Sequence, residues 1–221
     1  PRINKTFKGS DPSWANACVG NNGFTGYWGY ANGFSKAANL LINQVLQDQG
    51  RTYYVDEFIY PVCFNMRHSV ELRLKGAITE LLLLEEKRNR KLEFDLVGSH
   101  DIGNIWKFFS EKSNLIDNRY ININTRLNTT IMDIAEIDAT GQTFRYPLDT
   151  ESKKHLVNVS TISFINLKQN FSELELALDE LHALNIYLSE EYFYNTFTKK
   201  LSRKNIFEIA SKLPNVNQWK E

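Results

Sequence analysis

The chain has 221 residues, enough to bury a sizeable core in one large domain, or in one domain with an appendage. Its 26 basic and 26 acidic side chains cancel, which argues against a generic nucleic-acid coat and leaves room only for a local basic patch. Two cysteines, Cys18 and Cys63, are too few for a disulfide scaffold. Cys63 sits in an apolar run and is expected to pack as a small hydrophobe. No apolar run approaches the roughly 18 residues of a membrane span, and no charged-then-apolar leader opens the chain. A reduced, cytoplasmic setting is therefore expected, in which the Asn-x-Ser/Thr matches at Asn128 and Asn170 carry no meaning. The first residue is not Met and the end at Trp219-Lys220-Glu221 lacks punctuation, so a larger parent chain is an expected context.

Residues 1–26 are rich in Gly, Asn and Ser and read as an irregular arm, with Phe7, Trp14 and Phe24 available to pin it to the body. Gly20, Gly23 and Gly26 miss the phosphate-loop and dinucleotide spacings and read as loop. Over 27–49, Tyr30, Phe34, Ala37, Ala38, Leu41, Ile42 and Val45 follow helical spacing, and Gly50 ends the segment. Residues 51–59 read as a connection. Pro61 suits the first turn of a helix that runs to about residue 90 and ends in basic residues. Ser99 is the expected N-cap of the next helix, with Asp101 in its first turn and Ile102, Ile105, Trp106 and Phe109 as its apolar stripe. A helix over about 120–137 follows, then a loop punctuated by Gly141 and Pro147. A long helix or helical pair spans about 160–197, with Leu167, Phe171, Leu174, Leu176, Leu178, Leu181 and Leu184 as core candidates. Ser202 caps a last helix that Pro214 closes. The fold class is all-α, an antiparallel helical bundle. Its domains are the arm at 1–26, a helical domain at 27–198 and a helical appendage at 199–221.

Polar residues inside the 61–90 segment need a reason, because buried charge is costly unless paired. On a helix at about 100° per residue, Arg67, Glu71 and Lys75 form one drifting stripe beside the apolar arc. One reading is an ion-pair network that fixes helix register. The other is a polar site with Arg67 for an anionic group and His68 for proton transfer near neutral pH. His100 and Asp101 read either as an ordinary helix start or as part of such a site. Arg145 and Tyr146, in Phe-Arg-Tyr-Pro, suit phosphate or base contact through a planar, always-charged fork. Lys199, Lys200, Arg203 and Lys204 gather at a helix start, where cations oppose the dipole, and are weak candidates for a nucleic-acid backbone. His155 and His182 have no partner spacing, and His182 reads as an ordinary amphipathic position. Too few His and Asp residues have ligand-like spacing, so no metal and no cofactor are expected.

Residues 64–106 resemble the HEPN superfamily of helical domains. The resemblance rests on Arg67-His68-Ser69-Val70-Glu71-Leu72-Arg73-Leu74-Lys75 and, after a loop, Gly98-Ser99-His100-Asp101-Ile102. It implies an antiparallel helical bundle, often a homodimer, from a bacterial toxin–antitoxin, abortive-infection or CRISPR-associated system. It further implies RNA or nucleotide handling, with metal-independent endoribonuclease activity in many members and a protein partner in others. Catalytic members carry an Arg followed by a His after four to six residues, and no Arg here has a His at that spacing. A site assembled from Arg67, His68, His100 and Arg145 would still supply a base for a 2′-hydroxyl and a cation for phosphate. Two rival readings stand beside it. One is a non-catalytic helical module that dimerises or docks a partner. The other follows from His100-Asp101-Ile102-Gly103, which resembles the dyad of HD-domain metal phosphohydrolases and implies His68 as an earlier ligand and Asp133 or Asp138 as a later one.

Overall fold

The structure is a computed structural model and describes residues 4–23, 25–194, 198 and 201–214. Six α-helices follow two short 3-10 turns: α1 (Gly26–Asp48), α2 (Val55–Lys87), α3 (Ile102–Ile116), α4 (Tyr120–Asp138), α5 (Phe164–Phe193) and α6 (Arg203–Ser211). No strand forms among the described residues, and one isolated bridge joins Leu148 to Lys154. The bundle is all-α, as the spacing of apolar residues predicts. No helix among the described residues is long and apolar enough to cross a membrane.

α2 is the central helix, packed by α1, α3 and α5, while α4 packs on α3 and α5. Its Val62, Val70, Leu74, Ile78, Leu81 and Leu84 are buried in the same cluster as Ile42 and Val45 of α1 and Phe171 and Leu178 of α5. Cys63 of α2 is buried as well, and burial pushes its thiol up to about 12, so it behaves as a hydrophobe. The expected α3 stripe of Ile102, Ile105, Trp106 and Phe109 is buried throughout.

Several local expectations are corrected. Pro61 does not open α2. The helix begins at Val55, with Asp56 and Glu57 in its first turn, and Pro61 lies exposed inside it. The N-cap of α3 is Asp101 rather than Ser99, since Asp101 Oδ1 accepts from the Asn104 N–H at 2.9 Å. Phe7 and Trp14 do not pin the arm, each being 86% exposed, and Phe24 lies outside the described residues. Tyr30 and Leu176 face outward instead of into the core. Ser202 caps α6 as expected, in a reciprocal box with Asn205.

Candidate functional site

A helix ends with carbonyls that have no partner in the helix. α4 ends at Asp138, and the fold resolves its loose ends with a side chain from α2. Arg67 Nε donates to the Asp138 carbonyl at 2.9 Å, and Nη2 donates to the carbonyls of Ala139 at 2.7 Å and His100 at 2.6 Å. Nη1 donates to Glu71 Oε2 one helical turn on. A buried guanidinium thus ties the middle of α2 to the start of α3 and the end of α4, where its charge also suits the helix dipole. Gly141, at φ 79°, is needed here. A Cβ on it would stand 3.0 Å from Arg67 Nη1.

Glu71 is the hub. Its Oε1 accepts from Lys75 Nζ and faces His100 Nδ1, both at 3.0 Å. Burial alone would raise its pKa. Hydrogen bonds from Lys75, Arg67 and His100 outweigh that and hold the carboxyl below its ordinary value. Arg67, Glu71 and Lys75 are all buried, whereas the His100 side chain is 61% exposed. With Nδ1 turned to a carboxylate, His100 presents Nε2 outward as the free ring nitrogen.

His68 stands apart from these bonds. Its ring packs edge-on to Phe34 at 4.4 Å and parallel to Phe64 at 5.7 Å. Burial lowers its pKa, and Arg67, Lys75 and Arg145 lower it further against the opposing pull of Glu71. His68 therefore sits within electrostatic reach of the network without bonding to it. Arg145 is exposed over the Tyr146 ring at 5.3 Å and lines a cavity of about 880 Å³ with Asp56, Tyr60 and His155. Arg67 lines a neighbouring cavity of about 350 Å³, and Phe144, Val159, Thr161 and Ile162 border both. Arg67, Glu71, Lys75 and His100 are brought together, and Arg145 opens onto the adjoining space.

The remaining candidates separate. Asp101 spends its carboxylate on the α3 cap, and His100 turns to Glu71, so the His-Asp pair does not act as a joint ligand set. Among the described residues, no three His, Cys, Asp or Glu side chains group to hold a metal ion. Lys204 pairs with Glu208 at 3.8 Å and Arg203 lies over Phe207, while Lys199 and Lys200 fall outside the described residues. Sequence reasoning gave no role to His155, whose Nε2 is buried without a partner beside Arg145's cavity. It took His182 for an ordinary amphipathic position and gave no site role to Glu80, Arg73 and Asn185, which line a third cavity with it on the other side of α2. A carboxylate inside Ile78-Thr79-Glu80-Leu81-Leu82-Leu83-Leu84 is the signal that would have found that one. Comparison with protein families, curated proteins and solved structures returned no match.

Proposed function

We propose that the chain is a HEPN-like helical domain of a bacterial defence or stress system that handles RNA or a nucleotide in the cytoplasm, with His100 as its proton carrier. The observation that carries this reading is the Glu71–His100 pair. A buried carboxylate, kept ionised by Arg67 and Lys75, orients an exposed imidazole at 3.0 Å. That is the arrangement a general base needs, with one ring nitrogen fixed and the other free for substrate. Arg145, exposed on the cavity that neighbours the one Arg67 lines, supplies a cation suited to a phosphate oxygen. In the sharpest form, His100 Nε2 takes the proton from a ribose 2′-hydroxyl, and O2′ attacks the adjacent phosphorus. The bond to the 5′-oxygen breaks, and that oxygen is protonated by solvent. No metal ion is required. The active form is taken to be a homodimer or an assembly with a protein partner or parent chain.

His100→Ala removes an exposed ring and is expected to leave the fold intact while lowering cleavage by about 10²–10⁴-fold. Products should carry 2′,3′-cyclic phosphate, and a 2′-deoxy substitution at the cut site should block the reaction, with cleavage unchanged by chelators. Undiminished cleavage of the deoxy substrate sinks this mechanism. A second reading, a non-catalytic module that dimerises or docks a partner, is favoured by one observation: Arg67 is occupied by three carbonyls and a carboxylate and has little left for a substrate. Failure to cleave any RNA, alone or with its partner, selects that reading.

A further inference from the structure

The loop after α4 is anchored by the same buried network that holds His100. Arg67 grips the Asp138 carbonyl, and Asp138 Oδ1 in turn accepts from the Thr143 N–H at 3.0 Å. The Thr143 hydroxyl donates to the Ile137 carbonyl at 3.0 Å. A tight turn follows, closed by the Arg145 and Tyr146 N–H groups on the Gln142 carbonyl at 3.1 and 3.0 Å. Arg145 therefore projects from a fixed turn. It shares its cavity of about 880 Å³, within the range of small-molecule sites, with Asp56 and Tyr60 from the first two turns of α2.

The groups that line this cavity are open to a ligand. Asp56 and Arg145 are exposed, and the Tyr60 and Tyr146 side chains belong to residues 48% and 47% exposed. Among the described residues, the side chains of Asp56, Tyr60 and Arg145 have no hydrogen-bond or ion-pair partner. The cavity thus holds a free anion and a free cation, with the rings of Tyr60, Phe144 and Tyr146 between its walls. A plain anion would meet Asp56 and a plain cation would meet Arg145. A ligand with a negative group at one end, a flat body and N–H donors at the other satisfies both. Asp56 and Tyr60 are four residues apart on α2, so they are neighbours on one helix face, their Cβ atoms roughly 5–6 Å apart. A base lying on the Tyr60 ring can therefore turn its edge to the Asp56 carboxylate.

A carboxylate has two acceptor oxygens and selects an edge with two adjacent donors. Guanine offers that edge, through N1–H and the N2 amino group. Adenine and cytosine put an acceptor beside their donor, and uracil has one N–H between two acceptors. We infer that this cavity binds a phosphorylated guanosine, with the base edge on Asp56, the ring on Tyr60 and the phosphate on Arg145. The inference rests on the proposed handling of RNA or a nucleotide and assigns it a base preference. The guanosine can come as a free nucleotide or within an RNA strand.

The test titrates the whole chain with GMP, IMP, AMP and guanosine, followed through the Arg145 Nε–H resonance and the backbone amides of 144–146 by ¹⁵N NMR. GMP should shift them saturably. IMP lacks the N2 amino group and AMP presents an acceptor at N1, and each should bind at least about tenfold more weakly. Guanosine lacks the phosphate and should also bind at least about tenfold more weakly. Asp56→Asn should bring GMP and IMP to similar affinity, and Arg145→Gln should weaken GMP but not guanosine. The trinucleotides UpGpU and UpApU separate the two sources. A strand site binds UpGpU more tightly than GMP, a free-nucleotide site does not, and UpApU stays weak for both. Equal binding of GMP and AMP overturns the inference. So does an Asp56→Asn chain that keeps the full preference for GMP over IMP, and so does the absence of saturable shifts with GMP and UpGpU alike. RNA cleavage without guanine preference in binding overturns this inference and spares the proposed chemistry. Guanine-selective binding without any cleavage supports the inference and removes the cleavage mechanism. The ligand series needs no variant, so the outcome stands even if Asp56→Asn does not fold.

Discussion

Glu71 and Glu80 share one helix and one chemistry, yet their surroundings drive them in opposite directions. Glu71 is held below its ordinary range by three hydrogen-bonding cations and donors, while burial pushes Glu80 up to about 7. Glu71→Ala leaves Arg67 and Lys75 buried without their carboxylate, and should cost about 3–5 kcal/mol in urea unfolding. A loss below about 0.5 kcal/mol would mean that the pair behaves as a surface one. The pH response has opposite signs at the two residues. Glu71 stabilises the fold above its unfolded value of 4.5, and this is lost as pH falls through its lower folded value. The folded state holds the Glu80 proton more tightly than the unfolded state, so stability should fall as pH rises from 4.5 to about 7, then level off. The loss is about 3 kcal/mol at most. His182 works the other way, because its lowered pKa weakens the fold as pH drops below 6.5. The difference between the unfolding curves of the parent and Glu80→Gln across that window isolates Glu80. A parent curve that rises with pH there, relative to the variant, would contradict the sign.

Two positions decide how the elements are built. Pro61 sits exposed inside α2, where its missing N–H leaves the Glu57 carbonyl without a helical donor. Pro61→Ala should restore that bond and raise stability by about 1–3 kcal/mol, visible as a higher denaturation midpoint. Gly141 turns the chain at φ 79° after α4, against the Arg67 guanidinium. Gly141→Ala should lower stability by about 1–3 kcal/mol, through left-handed strain and displacement of Arg67. The proline illustrates how local signals mislead. A Pro is a good mark of a first helical turn, but Asp56 and Glu57 already favour a start at Val55, and packing carries the helix past the missing donor. Ser99 and Asp101 are likewise equivalent caps on paper, and only the Asp101–Asn104 geometry chooses between them.

At the scale of the whole molecule, the all-α class and the inner faces of α2, α3 and α5 were legible because apolar residues recur at helical spacing. The burial of Arg67 and Glu71 was legible for the same reason, as both border that arc. The partners of Arg67 were not, because they are backbone carbonyls 33 to 72 residues away, and a carbonyl leaves no mark in a sequence. His100 could be singled out by its neighbours, but its link to Glu71 spans 29 residues and exists only once α3 docks on α2. The cavity around Glu80 escaped because its members come from three helices, and each alone resembles an ordinary surface or core position. His182 shows this best, being unremarkable on α5 until Trp28 of α1 stacks on it.

The three-carbonyl grip of Arg67 also has a kinetic meaning. α2 can form from local contacts, but its guanidinium acquires its acceptors only when the start of α3 and the end of α4 arrive, across long stretches of chain. Interactions completed that late are weak in the folding transition state and strong in the native state. Arg67→Met should therefore leave the refolding arm of a chevron plot nearly unchanged and raise the unfolding arm, accelerating unfolding. The residue would then act as a latch that sets how long the assembled bundle lasts rather than how fast it is made.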